Sequence, residues 1–439
     1  MTKYKIISLV IVTLLSFNLT NAKLTSGYNS QEIIKRDSIT PGVVYSYIKI
    51  GQKALKHSVH VTEIDLTKDS LKLCVYKALD NNRGLDKLQF IQTKYDSYNK
   101  CSSICGVNAN FWRAITNFPI GPLVVDCEVV EGYRYKKWSS CFVDTEGVPY
   151  IDTFDIKTMV YHNDNTFNIN RVNRRLDSNS LVLYNRYAGT EIPHVSDKDV
   201  LDRLESILSI YEQDSTFVDS TETTFDTLQL KDSLRAMQRR EELEFELEKA
   251  VLEYQDFPSI NSEIECVVVS VQTGVVVIPQ NGFVISYPKS FPENLRLKVG
   301  DVVSVKYQTN ILPNKKFRYA VSGTPRLVRN GIAEHEAYQE GSKGRRFINK
   351  RLARTAIGYN KDKTRMYLVT VDANDYHSNV KGADLKDLSA IMKVLGCWDA
   401  MNLDGGGSSY MTINQKNVKY KSKPNLGRKV SAGIGVIKK

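Results

Sequence analysis

Asn402-Leu403-Asp404-Gly405-Gly406-Gly407-Ser408-Ser409 follows an apolar run at 394–401. Three successive glycines weaken both helix and strand, so the chain must turn here. Glycines also let backbone amides approach an anion closely. This turn places a carboxyl, Asp404, and two hydroxyls, Ser408 and Ser409, beside them. Asp-Gly is also a hairpin signal, so the bland reading is a plain turn. No Lys-Ser/Thr pair closes the run, which excludes a P-loop, and the Gly-x-Ser-x-Gly pattern of a nucleophile elbow is missing. The residues alone point to a phosphate or sugar site.

Reading outward, 384–395 has the pattern of a helix, and 366–371 reads as a buried strand ending at Asp372. Strand, helix and strand deliver Asp372 and Asp404 to two strand ends, where sites gather in sheets with helical crossovers. Alternating patterns at 43–50, 60–66 and 71–75 read as strands, 86–98 as a helix, and 106–112 as a strand ending in polar and aromatic residues. His57 and His60 stand three apart, so they point to opposite faces of their strand and read as surface residues. Strands resume at 265–271 and again between 278 and 307.

The stretch 195–257 differs, with 17 acidic and 7 basic residues and helical patterns at 200–208 and 228–254. It reads as an inserted acidic helical hairpin with a solvated face, or as a docking site for a protein partner. The expected fold is mixed α/β (α+β): a β-rich body with helices packed around one cleft, plus that hairpin. The expected organisation is a signal peptide at 1–22, a linker at 23–41, and a catalytic domain in two parts, 42–194 and 258–439.

Lys3, Lys5, a short apolar core and Ala22 form the expected export signal, too short for a comfortable membrane span. Export implies a periplasmic or extracellular location. The net charge of +11 becomes about +21 outside 195–257, which suits anionic partners such as phosphorylated glycans. Export and the lack of a nucleic-acid motif argue against nucleic acid. Seven cysteines, an odd number, lack zinc-ligand spacing. Cys266 and Cys397 lie in apolar runs and read as buried; Cys101, Cys105, Cys127 and Cys141 are candidates for a disulfide.

Taken together, four blocks resemble the phosphodiester glycosidase family, which includes bacterial relatives linked to exopolysaccharides. They are 402–409; Arg354-Thr355-Ala356-Ile357-Gly358; Val371-Asp372 with Gly382 and the helix after it; and Gly106-Val107-Asn108-Ala109-Asn110-Phe111-Trp112. The chain departs from the family's Asp-Gly-Arg at Asp372-Ala373-Asn374, losing one arginine. The resemblance implies a secreted glycosidase that cleaves sugar 1-phosphodiesters at the anomeric carbon. Asp404 and Asp372 are then the candidate catalytic carboxyls. Arg354 and Arg428, whose planar forks suit phosphate oxygens, would hold the anion with Gly405, Gly406, Gly407, Ser408 and Ser409. Asn108 and Asn402 would bond sugar hydroxyls, with Thr355 nearby. No cofactor and no protein metal ligand is expected, although Ca²⁺ or Mg²⁺ on the two aspartates defines an alternative, a metal-dependent phosphodiesterase. The other alternative is a non-catalytic glycan-binding protein.

Overall fold

A computed structural model describes residues 28, 30–52, 55–193, 236, 239–240, 242–373, 382–419 and 427–438. The expected signal peptide, the first insertion helix at 200–208 and Asn374 lie outside them. The site sits on a seven-stranded sheet. Its order is Ser30–Thr40, Val43–Gln52, Leu55–Asp65, Arg365–Val371, Arg354–Tyr359, Asp399–Asn402 and Arg326–Val328, with every neighbour antiparallel.

Alternation along these strands supplies two different buried faces. Leu368, Ile357 and Met401 face a five-stranded sheet that contains Ser102–Asn108, Met411–Ile413 and Ala432–Lys438. Val369, Val371 and Ala356 face the helix Leu385–Val394. That helix presents Leu388, Ile391 and Met392 at helical spacing. Its start is fixed by a capping box, in which Asp387 N–H donates to Asp384 Oδ1 at 2.8 Å. Gly396 follows at φ +96°, a left-handed conformation that stops the helix at low cost. A second helix, Leu88–Asn99, packs on the five-stranded sheet.

The expected strand–helix–strand unit is present. Arg365–Val371 and Asp399–Asn402 run parallel, each antiparallel to Arg354–Tyr359 between them. A five-stranded sheet around Phe317–Gly323 and an eight-stranded sheet complete the body. Val124, Phe142 and Phe317 of the former share a core with Phe283, Ile285 and Val305 of the latter. The molecule is therefore a mainly β body with few helices.

Several readings need correction. Ser30–Thr40 is a strand rather than linker, because ten residues of Val43–Gln52 offer it a complete edge. The second insertion helix does not run to Tyr254: residues 242–246 are helical, but Lys249–Tyr254 is a strand between Glu263–Gln272 and Gly282–Ser286. Sheet pairing on both edges overrides the helical preference of that stretch. All seven cysteines are free thiols, so the candidate disulfide is absent, while Cys266 and Cys397 are buried as expected. His57 and His60 do lie on opposite faces but are buried, not superficial, since helix and sheet layers cover both sides of Leu55–Asp65.

Candidate active site

Asp372 and Asp404 lie just beyond the ends of the two parallel strands, on either side of the start of Arg354–Tyr359. The loop carrying Asp404 is held by that central strand. Leu403 N–H donates to Thr355 O at 2.8 Å and Gly406 N–H to Ala353 O at 2.8 Å. Gly406 sits at φ +61°, which its missing Cβ allows, and the chain then closes a 3-10 turn over Gly406–Ser408.

Asn108 ties this loop to the five-stranded sheet. Its side chain is completely buried; it donates to Asp404 O at 2.7 Å and accepts from Thr355 Oγ1 at 2.8 Å and Tyr410 N–H at 3.0 Å. Asn108 and Thr355 thus frame the loop. Arg354, 2 % exposed, spends Nε on Ala383 O and Nη2 on Phe347 O and Lys350 O. Burial pushes its pKa down to about 10. Nη1 makes no hydrogen bond among the described residues. Asn402 donates from Nδ2 to Thr324 O at 2.6 Å. Its Oδ1 and the Ser409 Oγ are buried without a hydrogen-bond partner among the described residues. Buried polar atoms without partners are costly, so these two are natural points for a ligand or water.

The glycine amides do not form the open cradle expected from the sequence. Gly405 N–H is turned onto Asp404 Oδ1 at 2.9 Å, Gly406 N–H is spent on Ala353 O, and Ser408 and Ser409 N–H donate to Gly405 O and Gly406 O. The exposed Gly407 instead lies against Arg428: a Cβ there would meet the guanidinium carbon at 3.2 Å. Asp404 is therefore surrounded by Ser408, Gly405 N–H and Arg428.

Burial raises the Asp404 carboxyl to about 6, against the opposing Ser408 hydrogen bond, Arg428 charge and Gly405 N–H. A carboxyl raised in the folded state stabilises the fold fully below its ordinary value near 3.8, and that contribution is lost as pH rises through about 6. Asp404→Asn is accordingly expected to gain thermal stability relative to the parent as pH is raised from 4 to 7. Melting curves across that range check it, and a flat difference would refute the assignment.

Asp372 has a different environment. Its Oδ2 lies 3.0 Å from His60 Nε2, and His60 Nδ1 lies 2.7 Å from Tyr45 Oη. Tyr47 stacks on the same imidazole at 4.7 Å between centroids. Sequence reasoning missed His60, Tyr45 and Tyr47, because the contact comes from the register of His60 against Thr370. Phe111 and Phe347 line the adjoining wall, and the Arg354 guanidinium lies 5.3 Å from the Phe347 ring. Among the described residues no three His, Cys, Asp or Glu side chains converge as a metal-binding set.

Comparison with known proteins agrees with this frame. Residues 260–437 match the family model described as phosphodiester glycosidase. The bovine N-acetylglucosamine-1-phosphodiester alpha-N-acetylglucosaminidase is 32% identical over 114 residues, which is 24% of this chain and 21% of the bovine protein. The match thus spans about a fifth of that relative's length. A solved Burkholderia pseudomallei protein, provisionally classed as exported, shares the fold over 95% of this chain and 98% of its own, with TM-score 0.60 and 14% identity. A Synechocystis protein of unassigned function does so over 94% of this chain and 64% of its own, with TM-score 0.63 and 16% identity. The fold is thus that of a β-rich protein in which Asp372 and Asp404 follow the ends of two strands that flank Arg354–Tyr359. The similarity to the phosphodiester glycosidase family model is carried by residues 260–437, the part of the chain that holds both aspartates.

Proposed function

We propose that the chain is an exported hydrolase that cleaves sugar 1-phosphodiesters of phosphorylated glycans at the anomeric C–O bond. The observation that carries this reading is the pair Asp372 and Asp404 flanking one strand in unlike surroundings, Asp404 with Ser408 and Arg428 and Asp372 with His60. Paired carboxyls whose environments differ are the usual means of dividing acid from nucleophile or base.

Arg428 and Arg354 Nη1 hold the phosphate next to Asp404. A neutral Asp404 carboxyl donates to the phosphate where a carboxylate would repel it, so turnover is favoured below about pH 6. Asp372, oriented by His60, works at the anomeric carbon, either directly or through water. Phosphate is a good leaving group, so proton donation matters less than for an alkyl glycoside. Ser409 Oγ and Asn402 Oδ1 are the free polar atoms for the substrate's own groups.

The test is hydrolysis of a panel of sugar 1-phosphodiesters in ¹⁸O-labelled water, with and without chelator. Label in the sugar is expected, and it would be retained with chelator present. Label in phosphate, lost on chelation, would replace this reading by a Ca²⁺- or Mg²⁺-dependent phosphodiesterase using the same two aspartates. Binding without turnover would replace it by a glycan-binding protein. Export is checked separately by finding the residue-1–22 segment removed from protein outside the cytoplasm. Among the described residues no helix is long and apolar enough to cross a membrane.

A further inference from the structure

Three segments meet beside the site without a single carboxylate among them. Residues 109–125, 132–138 and 341–355 together hold ten Lys and Arg and no Asp or Glu, in a chain with 49 acidic residues. Contacts join the three. Lys136 Nζ donates to Gly341 O at 3.0 Å, Trp138 packs edge-on to Phe111 at 5.4 Å, and Phe111 lies 6.2 Å from Phe347. Phe347 in turn carries the Arg354 guanidinium. The result is a basic strip that ends at Arg354 and the Asp404 loop.

Its charges face solvent. Arg113, Lys136, Lys137, Lys343 and Arg345 are all exposed. Four carboxylates near the strip are engaged: Glu131 is buried on Arg174, Glu340 is buried on Ser139, Asp387 is taken by Arg351 and Tyr28, and Asp384, which faces Arg354, accepts from Asp387 N–H. Aromatic rings run between the cations, with the Arg113 guanidinium 5.5 Å from the Tyr135 ring and Trp138 edge-on to Tyr135 at 5.0 Å.

We infer that this strip is a track for a polyanionic glycan, a saccharide chain bearing several phosphodiesters. One linkage occupies the site while its neighbours lie along the cations. The inference rests on the phosphodiester reading of the site. Several fixed charges on one side of a cleft raise the local concentration of a polyanion far more than that of a single anion. The strip runs into the site, its rings Phe111, Tyr135, Trp138 and Phe347 are linked edge-on to one another, and its exposed ring, Tyr133, is covered by the Arg171 guanidinium. These features fit a chain fed toward Asp404 better than an anionic membrane surface, which would call for free apolar side chains to insert.

The experiment compares a monomer, N-acetylglucosamine 1-(methyl phosphate), with a poly(N-acetylhexosamine 1-phosphate), using the mature chain and Lys137→Glu/Lys343→Glu/Arg345→Glu. The parent is expected to turn over the polymer about tenfold or more better per linkage at low salt, an advantage that fades as salt rises. The triple variant is expected to lose that advantage and to keep monomer kcat/KM within about twofold. Equal treatment of polymer and monomer by the parent, or an unaltered advantage in the variant, overturns the track. Failure of the parent on both substrates would reject the phosphodiester reading instead. Polymer binding by parent and variant then decides the track: weaker binding by the variant supports it and equal binding overturns it. Loss of binding to phosphatidylglycerol vesicles with polymer binding intact assigns the strip to a membrane and overturns it too.

Discussion

Asp372→Asn is expected to lower kcat/KM on a sugar 1-phosphodiester by about 10³-fold or more, with kcat falling and KM little changed. The amide keeps the size of the carboxyl and can still bond His60, so the fold should be undisturbed. What it lacks is the charge that stabilises a developing oxocarbenium ion or takes a proton from water. His60→Gln should cost less, about 10²-fold, because it removes orientation rather than the reacting group. The buried imidazole is fixed on three sides, by Asp372, by Tyr45 Oη and by the Tyr47 ring. Steady-state kinetics with melting curves for each variant separates the two effects. An Asp372→Asn protein with near-parental kcat would remove Asp372 from the mechanism.

Asn108→Ala is expected to destabilise the fold by about 3–5 kcal/mol. The side chain is fully buried and satisfies three other buried groups: the Thr355 hydroxyl, the Tyr410 amide and the Asp404 carbonyl. Leaving one buried polar group unpaired costs about 1–3 kcal/mol, and the three belong to one network, so the sum is less than additive. Urea unfolding should show a lower midpoint with an unchanged slope. Activity should fall too, since the loop would lose its tie to the five-stranded sheet. A midpoint equal to the parent's would mean that the network relaxes around the gap. Asn108→Asp is a stringent companion: it keeps the shape but cannot donate to Asp404 O.

How far the sequence reaches can be judged from these residues. The Gly-rich turn, the strand ending at Asp372 and the helix between them were legible because each is a local pattern: glycines that must turn, an apolar run, a 3.6-residue period. Local patterns also placed the two aspartates at strand ends. His60 was illegible because nothing near it in sequence tells which strand lies opposite. Its meaning depends on Arg365–Val371, more than 300 residues away, choosing one register. Lys249–Tyr254 misled for the same reason. Its Lys249, Ala250, Leu252 and Glu253 favour a helix locally, and only partners on both edges make it a strand. The glycine amides misled in another way. A run able to cradle an anion is equally able to bond within the protein, and the turn spends its amides on the Asp404 carboxyl, on Ala353 O and on its own carbonyls.

The strand order also dictates when the site can come into being. Leu55–Asp65 must wait for Arg365–Val371, and Ala432–Lys438 inserts between Ser102–Asn108 and Leu71–Lys77. Both carboxyls therefore stand on a framework closed by residues from opposite ends of the chain. Loops of hundreds of residues must be closed before these pairings return any stabilisation, which makes such topologies slow to form. During synthesis Leu55–Asp65 leaves the ribosome paired on one side by Val43–Gln52 but with its other edge open for some 300 further residues, and Leu71–Lys77 waits still longer for Ala432–Lys438. An unpartnered edge is a template for mispairing, so a nascent chain of this design is more exposed to aggregation than the finished molecule. The same long-range closure makes catalytic competence all-or-none: no shorter nascent fragment can present the pair of aspartates in working order.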